Sequence, residues 1–558
     1  MEESPFIRFI NLLKVDRKDV TQIIFYAIFA GIISLSLPLG IQAIINLIQS
    51  GRVSASWVLL VLIVVIGVAL GGILAIMQLR ITENLQQKIF VRSSFDFSYR
   101  LPKIKFEELY NKYAPELANR FFDTMVIQKG ASKLLLDFSS SLLQIIFGII
   151  LLALYHPFFI LFGVFLLVLL YVIFKFSYNS GLSTSLNESK YKYKVVAWLQ
   201  EIARNSSSFR RQENFDFALS RNNDLVEQYI GYREKHFNVI KRQFMQLIGF
   251  KILITASLLF IGGYLVLNQQ MNIGQFVAAE IIIILVINSV EKVVLGLETF
   301  YDVLTSVEKI AQVFDLEIEK YNAKTADYCF TKLCLETDNL SLKFPDNKKS
   351  VLSRITLKIE PEERVFLAGE NGSGKSSLIR VLSGLIEPTS GAYFINDDTY
   401  LKIDKNQLRS HISVVMQEDT PFEGSILENI TFMNPLVSNE QVKWAIDAVG
   451  LGDFIKSMPE GLETKIVPEG KQLSSSNAQK ILIARSIVTQ PKVLLLEDPL
   501  NKMDTKIANE IIDFLVDPKH KWTLVVSSKN EYWKKQCSRT IELSNGKLIA
   551  DSKTQNHA

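Results

Sequence analysis

The chain has 558 residues, 48% of them apolar, and a formal net charge of +4. So small a positive excess does not support nucleic-acid binding, and no nucleic acid is expected among its partners. Its three cysteines, Cys329, Cys334 and Cys537, all fall in the C-terminal part. They lack the companion residues of a zinc site and read as isolated thiols, not as a disulfide framework.

The chain starts MEESPFIRFINLLKVDRKDV. Acidic residues come first and no small-residue cleavage site precedes the first apolar run, so this is not expected to be a cleaved signal peptide. Phe6, Ile7, Phe9, Ile10, Leu12 and Leu13 line one side of a short helix, suited to a membrane surface or to ordinary partial burial.

A membrane-crossing helix needs about 20 mostly apolar residues. No charge interrupts Val20–Gly51, Val53–Leu79 or Phe138–Phe174, and the last stretch is long enough for two spans with a turn at His156-Pro157. With two later segments this predicts six spans, at about 20–48, 57–79, 132–155, 157–177, 244–267 and 275–297. The links after spans two and four are long, about 50 and 65 residues, and the others are short. Arg80, Lys88, Arg92 and Arg100 are among the basic residues of the first long link, and Arg204, Arg210, Arg211 and Arg233 among those of the second. Basic loops stay on the cytosolic side, so both long links and both termini are expected there. Apolar residues in these links recur at helical spacing; about 25 residues out and 25 back would project roughly 40 Å. Asp137, Lys251, Glu280, Glu291 and Lys292 lie within or near spans, and Glu280 and Lys251 are the candidates for lining a cavity, with an interfacial position the alternative.

After Phe314 the pattern changes to short β-rich runs alternating with helical ones. The expected division is a six-span domain over 1–316, a polar linker over 317–328, an α/β domain over 329–551 and a polar tail over 552–558. The strand RVFLAG leads into GENGSGKSSLIRVL, where Gly369, Gly374, Lys375 and Ser376 fit G-x-x-x-x-G-K-[ST]. Gly372 and Gly374 allow backbone N–H groups close to phosphates. The following helix aims its positive end at the anion. Lys375 supplies a cation for the β- and γ-phosphates, and the Ser376 hydroxyl suits Mg²⁺. The nucleotide-binding residues expected here are Gly369, Glu370, Asn371, Gly372, Ser373, Gly374, Lys375, Ser376 and Ser377.

Around this loop the sequence resembles the ATP-binding-cassette (ABC) family. PELANRFFDT and WLQEIARNSSSFRRQENF are similar to the cytosolic links of ABC exporters, LSSSNAQKILIARSI to the family signature and its helix, and VLLLEDPLNKMD to the Walker B strand and aspartate loop. The resemblance implies an all-α six-helix transmembrane domain followed by a cytosolic α/β phosphate-loop cassette. It also implies MgATP as cofactor, with Phe344 stacking on adenine, Gln417 at the metal or the attacking water, and Glu497 with Ser376 and Gln417 at Mg²⁺. Asp498 would polarise water. Ser474, Ser475, Ser476, Asn477 and Asp504 would meet nucleotide across a dimer.

The departures from the family concern hydrolysis. LSGGQ becomes LSSSN, Asp-Glu becomes Glu497-Asp498, and Ser528 stands at the switch-histidine position. His520 precedes that strand and is out of register. Serines in place of glycine could hold the backbone off a phosphate or add hydroxyl donors. A base shortened by one methylene could cost on the order of 10²-fold in rate. The expectation is therefore good MgATP binding with slow or partner-dependent hydrolysis. A second half-transporter is the expected partner, a heterodimer being favoured over a homodimer. The lipid bilayer, a transported substrate and a periplasmic adaptor complete the candidate partners. The resemblance further implies export across the cell (inner) membrane. The region NIGQFVAAEIIIILVINSVEKVV is similar to peptide- and protein-secreting exporters, although only about 20 residues, and no peptidase domain, precede the spans. Lipid or small-molecule cargo, a non-hydrolysing regulatory subunit and an ATP-gated channel are the alternatives.

Overall fold

The computed structural model describes residues 3–49, 55–211, 216–319, 330–345 and 349–553. The chain divides into two compact units. The first comprises residues up to Lys103 together with Lys112–Leu316, and the second Ile104–Asn111 together with the chain from Glu317 onward.

In the first unit, six helical stretches among the described residues are long and apolar enough to cross a membrane: Arg17–Gln49, Ala55–Lys103, Ala114–Tyr155, Phe158–Arg204, Asp216–Leu267 and Ile273–Phe314. A short helix α1 (Pro5–Val15) precedes them, its Ser4 cap accepting from the Ile7 amide. The first stretch is two helices, α2 (Arg17–Ser34) and α3 (Ser36–Gln49). Pro38 has no N–H for the Ser34 carbonyl, so the ladder breaks between them. Next come α4 (Ala55–Arg100), then two short helices at the first long link, α5 (Phe106–Leu109, which belongs to the second unit) and α6 (Ala114–Ala118), then α7 (Asp123–Tyr155) and α8 (Phe158–Arg204). The 46 residues of α4 are one helix roughly 70 Å long, so span and link are continuous. Between α7 and α8, His156 is extended (φ −158°), as a residue preceding proline prefers. The series ends with α9 (Ser206–Arg210), α10 (Asp216–Ser257), a π turn (Leu258–Gly262), α11 (Gly263–Leu267) and α12 (Ile273–Phe314).

The core of this unit gathers Ile145, Leu152, Leu166, Leu247, Ile254, Ile282 and Val286 from α7, α8, α10 and α12. Glycine permits the close contact of α7 with α12: a Cβ on Gly148 would lie 2.6 Å from Val286 Cγ2, and one on Gly296 2.5 Å from Phe138 Cε1. The apolar stretch of α4 is the converse, with Val58, Leu59, Leu62, Val65 and Ile66 exposed, as suits a lipid-facing helix. α1 packs on α12: Phe9 is buried and the Arg8 guanidinium forks Asp315 at 3.0 and 2.6 Å, while Phe6 and Ile7 stay exposed. Lys251 pairs with Glu291 at 2.5 Å, and a mostly apolar cavity of about 400 Å³ is lined by Asp137 and Lys292 with Gln78, Ser140 and Gln144, not by Lys251 or Glu280. Successive residues on a helix point about 100° apart, so α12 aims Glu291 at Lys251 and Lys292 elsewhere.

Among its described residues the second unit holds three sheets. β1 (Leu335–Leu342), β2 (Leu352–Ile359), β4 (Ser390–Ile395) and β5 (Asp398–Thr399) form an antiparallel sheet in the order β2-β1-β4-β5. β3 (Arg364–Ala368), β6 (Ile412–Val415), β9 (Val493–Glu497), β10 (Thr523–Ser527), β11 (Arg539–Ser544) and β12 (Lys547–Lys553) form the sheet β12-β11-β3-β10-β9-β6, parallel except for β12. β7 (Gly424–Ser425) and β8 (Lys465–Ile466) pair separately. Residues of β9 and β10 are buried throughout, as expected of central parallel strands. The helices are α13 (Lys375–Leu382), α14 (Lys405–His411), α15 (Ile426–Thr431), α16 (Asn439–Ala448), α17 (Gly452–Ser457), α18 (Ser475–Ile487), α19 (Thr505–Val516) and α20 (Glu531–Gln536).

Ile104–Asn111 was expected in the membrane half but belongs to the second unit. Phe106 packs against its core, and the Lys105 amide donates to the Glu317 carbonyl at 2.9 Å. Of the expected linker, 317–319 is held: Arg409 forks Glu319 at 2.6 and 2.7 Å. Residues 320–328, Cys329 and 554–558 lie outside the described residues, and the expected tail starts within β12.

Candidate nucleotide site

The site is built where β3, β9 and β10 end side by side, the edge at which parallel sheets form ligand crevices. From Ala368 the chain turns through Gly369, Glu370, Asn371, Gly372, Ser373 and Gly374 into α13. Gly369 has φ +139°, and a Cβ there would meet the Leu543 carbonyl oxygen at 2.3 Å; Gly374 has φ +105°. Only glycine fits both conditions. Glu370 and Asn371 are exposed, whereas Ser373 and Ser377 are buried.

Lys375 Nζ donates to the carbonyls of Gly369 and Glu370, both at 2.8 Å, which folds its cation back over the loop. Desolvation holds its pKa below the ordinary lysine value, opposed by the nearby carboxylates of Asp498 and Glu497. The Ser376 hydroxyl donates to Glu497 Oε1. Glu497 is 8% exposed, and its other oxygen, Oε2, is buried with no hydrogen-bond partner among the described residues. An orphaned carboxylate oxygen beside a serine hydroxyl below a phosphate loop fits Mg²⁺, which needs only one or two protein ligands when phosphates supply the rest. Ser376 and Glu497 would hold the ion. Gln417 is exposed and borders a cavity of about 240 Å³ with Asp498, Ser475 and Gln479.

Asp498 is half-buried in a left-handed conformation, φ +43°. Its amide donates to the Ser527 carbonyl at 2.7 Å, and its Oδ1 accepts from the Lys529 amide at 3.0 Å. The neighbouring Ser528 hydroxyl accepts from the Asn530 amide at 3.2 Å, closing a local turn. Ser474 caps α18 by accepting from the Asn477 amide at 3.2 Å, so Ser475, Ser476 and Asn477 form the helix's first turn. The Gln479 amide nitrogen donates to Asn501 Oδ1 at 2.7 Å and its carbonyl oxygen accepts from the Lys502 amide at 3.2 Å, tying this helix to the loop after β9. Asp504 is exposed and caps α19 through the Lys506 amide at 2.9 Å. Phe344 is 3% exposed within the core cluster, its ring stacked under Tyr110 with centroids 4.0 Å apart.

The family model "ABC transporter" matches residues 352–501, and "ABC transporter transmembrane region" matches 20–290. The chain belongs to the ABC transporter family. The alpha-hemolysin translocation ATP-binding protein HlyB of Escherichia coli O157:H7 is 28% identical over 330 residues, 58% of this chain and 46% of that protein. The leukotoxin translocation ATP-binding protein LktB of Mannheimia haemolytica is 27% identical over 332 residues, 59% of this chain and 46% of that protein. The chain thus spans about half the length of the curated relatives it matches. A solved structure of a bacterial Atm1-family ABC exporter with ATP bound superposes with a TM-score of 0.81 at 17% identity, covering 96% of this chain and 95% of that one. That likeness shows the fold of an ABC exporter, and with the six apolar stretches it makes this ABC transporter a multi-pass membrane protein.

Sequence reasoning did not single out three groups in this ABC cassette: Tyr110, the Lys529 amide that engages Asp498, and Gln479 between signature helix and aspartate loop. Gln479 lies within the quoted signature helix; nothing in the local pattern around Tyr110 or Lys529 marks them.

Proposed function

We propose that the chain is one half of an ABC exporter that couples binding of MgATP, and its slow or partner-dependent hydrolysis, to export of a polypeptide. The observation that carries the reading is the meeting of Ser376 with Glu497 beneath a glycine-built loop whose lysine caps the phosphate position. Phosphates would lie on the loop amides and Lys375, and a bound magnesium ion would neutralise charge as the terminal phosphoryl leaves. Asp498 would orient water and Gln417 would face it across the shared cavity.

The orientation follows from the basic long links: N-terminus and cassette on the cytoplasmic side of the cell (inner) membrane. ATP favours the closed pair of cassettes because its γ-phosphate is gripped by both only on closure, and such a differential is what shifts a conformational equilibrium. The partner is a second half-transporter, with a heterodimer favoured over a homodimer. The translocation proteins among the relatives support a peptide or protein cargo, with a periplasmic adaptor as a further partner.

The test is MgATP binding to the purified chain in nanodiscs, with Lys375→Ala as comparison. Saturable binding lost in the variant is expected; equal binding by both would sink the assignment. A second reading, a non-hydrolysing regulatory subunit, is favoured by one observation: Asp498 and Ser528 spend their polar groups on their own turn. Transport in vesicles by this chain with a competent partner, abolished by Lys375→Ala, selects the exporter.

A further inference from the structure

We propose that Tyr110 occupies the base subsite of the cassette and that the purine ring of ATP must displace it to stack on Phe344. The inference rests on the ATP-binding reading given above. Phe344 can offer a base only the face that the core does not cover, and Tyr110 lies flat on it, centroids 4.0 Å apart and planes 8° from parallel. Phe344 is consequently 3% exposed while Tyr110 remains 42% exposed. Two flat rings already in contact leave no space for a third between them.

Tyr110 is brought there by a docked segment. The Arg380 guanidinium lies 5.2 Å above the Phe106 ring, Glu107 accepts from the Glu387 amide at 2.9 Å, and Lys105 Nζ reaches Glu317 at 2.7 Å. Arg380 lies on α13, the helix that the phosphate loop opens, so one element serves both phosphate and segment. The Tyr110 hydroxyl has no hydrogen bond among the described residues, which leaves the stack as its main contact. Exchange of one ring for another is therefore a local event with a distant lever. Ile104–Asn111 is the tip of the first long link, continuous in the chain with α4 and α7. Linkage is reciprocal: a base that evicts Tyr110 loosens the tip, and a tip held down weakens the base.

The test measures MgATP and inorganic tripolyphosphate binding to the full-length chain in nanodiscs, as wild type, Tyr110→Ala, Tyr110→Leu and Tyr110→Phe. Removing the competing ring should tighten ATP about two- to ten-fold in the Ala and Leu variants. Tripolyphosphate, which has no base, should bind all four alike, and Tyr110→Phe should match wild type. ATP binding that is unchanged or weaker in Tyr110→Ala and Tyr110→Leu, with tripolyphosphate intact, overturns this inference alone. A wild-type chain that binds neither probe overturns the ATP-binding reading along with it.

Discussion

Lengthening Asp498 by one methylene tests the proposed slow turnover directly. The residue sits at φ +43°, a region aspartate tolerates better than most, and its carboxylate bends back to accept from the Lys529 amide at 3.0 Å. In Asp498→Glu the carboxylate reaches about 1.5 Å further, one carbon–carbon bond. A misplacement of about 1 Å can cost about 10²-fold in rate, so the gain has a ceiling near 10²-fold, or about 2.7 kcal/mol. Giving up the Lys529 contact costs about 1 kcal/mol of stability, and Ser528 still lacks an imidazole. The net expectation is roughly a tenfold rise, since Glu497 and Ser528 stay as they are. Phosphate release at saturating MgATP reads it, with Asp498→Asn as background. An Asp498→Glu rate no higher than wild type, with ATP affinity intact, would refute the reasoning. So would a wild-type rate already at an ordinary enzymatic ~10 per second.

Other consequences lie in the same unit. Glu497→Gln should weaken the Mg²⁺ dependence of ATP binding more than binding without metal, because Glu497 Oε2 is the orphaned acceptor; titration with and without chelator checks it. Burial pushes the Cys334 thiol up to about 11 and the Cys537 thiol up to about 12. A raised thiol pKa lowers the thiolate fraction, to about 10⁻³ and 10⁻⁴ at pH 8, so alkylation followed by peptide mapping should find both slow, and Cys334 should speed up nearly tenfold per pH unit. Arg539, 7% exposed, reaches Glu363 at 2.6 Å and Asp551 at 2.7 Å, so Arg539→Met removes the one guanidinium that bridges these two acids. About 3 kcal/mol should be lost, the low end for a buried pair because Asp551 keeps a third of its side chain exposed, and denaturant unfolding of the cassette reads this.

Readings that depend on near neighbours in the chain were legible. The glycines of 369–374 and the lysine and serine behind them are one contiguous string, and their φ values follow from it. Six spans follow from hydropathy because lipid demands long uninterrupted runs. What stayed hidden depends on contacts across large separations. Nothing near Tyr110 announces Phe344, 234 positions away, and nothing in Glu319 announces Arg409. The docking of Ile104–Asn111 into the cassette was hidden for the same reason. Charge in the spans was legible as unusual, but its pairing was not: which of Asp137, Glu280 and Glu291 meets Lys251 depends on how the helices pack and rotate, and it is Glu291.

The signature substitution has less force than it had as a string of letters. Ser475 and Ser476 are the first two residues of α18, in right-handed helical conformation, where glycine has no steric advantage and serine is the better helix former. Ser475→Gly with Ser476→Gly should therefore leave ATPase activity within about twofold and cost at most ~0.5 kcal/mol each. A tenfold rise would show instead that serine bulk holds off the phosphate. If the signature is sound, the weakness lies at Glu497-Asp498 and Ser528 alone, and those stay with this chain's own phosphate loop. The proposed mixed dimer would then have one slow site, at this chain's loop, and one ordinary site, where this chain would lend its signature to the partner's loop. Removing the partner's catalytic carboxylate should drop the mixed dimer to the rate of this chain alone. Retention of half the activity would mean that the two sites were equal, and the Glu497-Asp498 order would have no bearing on turnover.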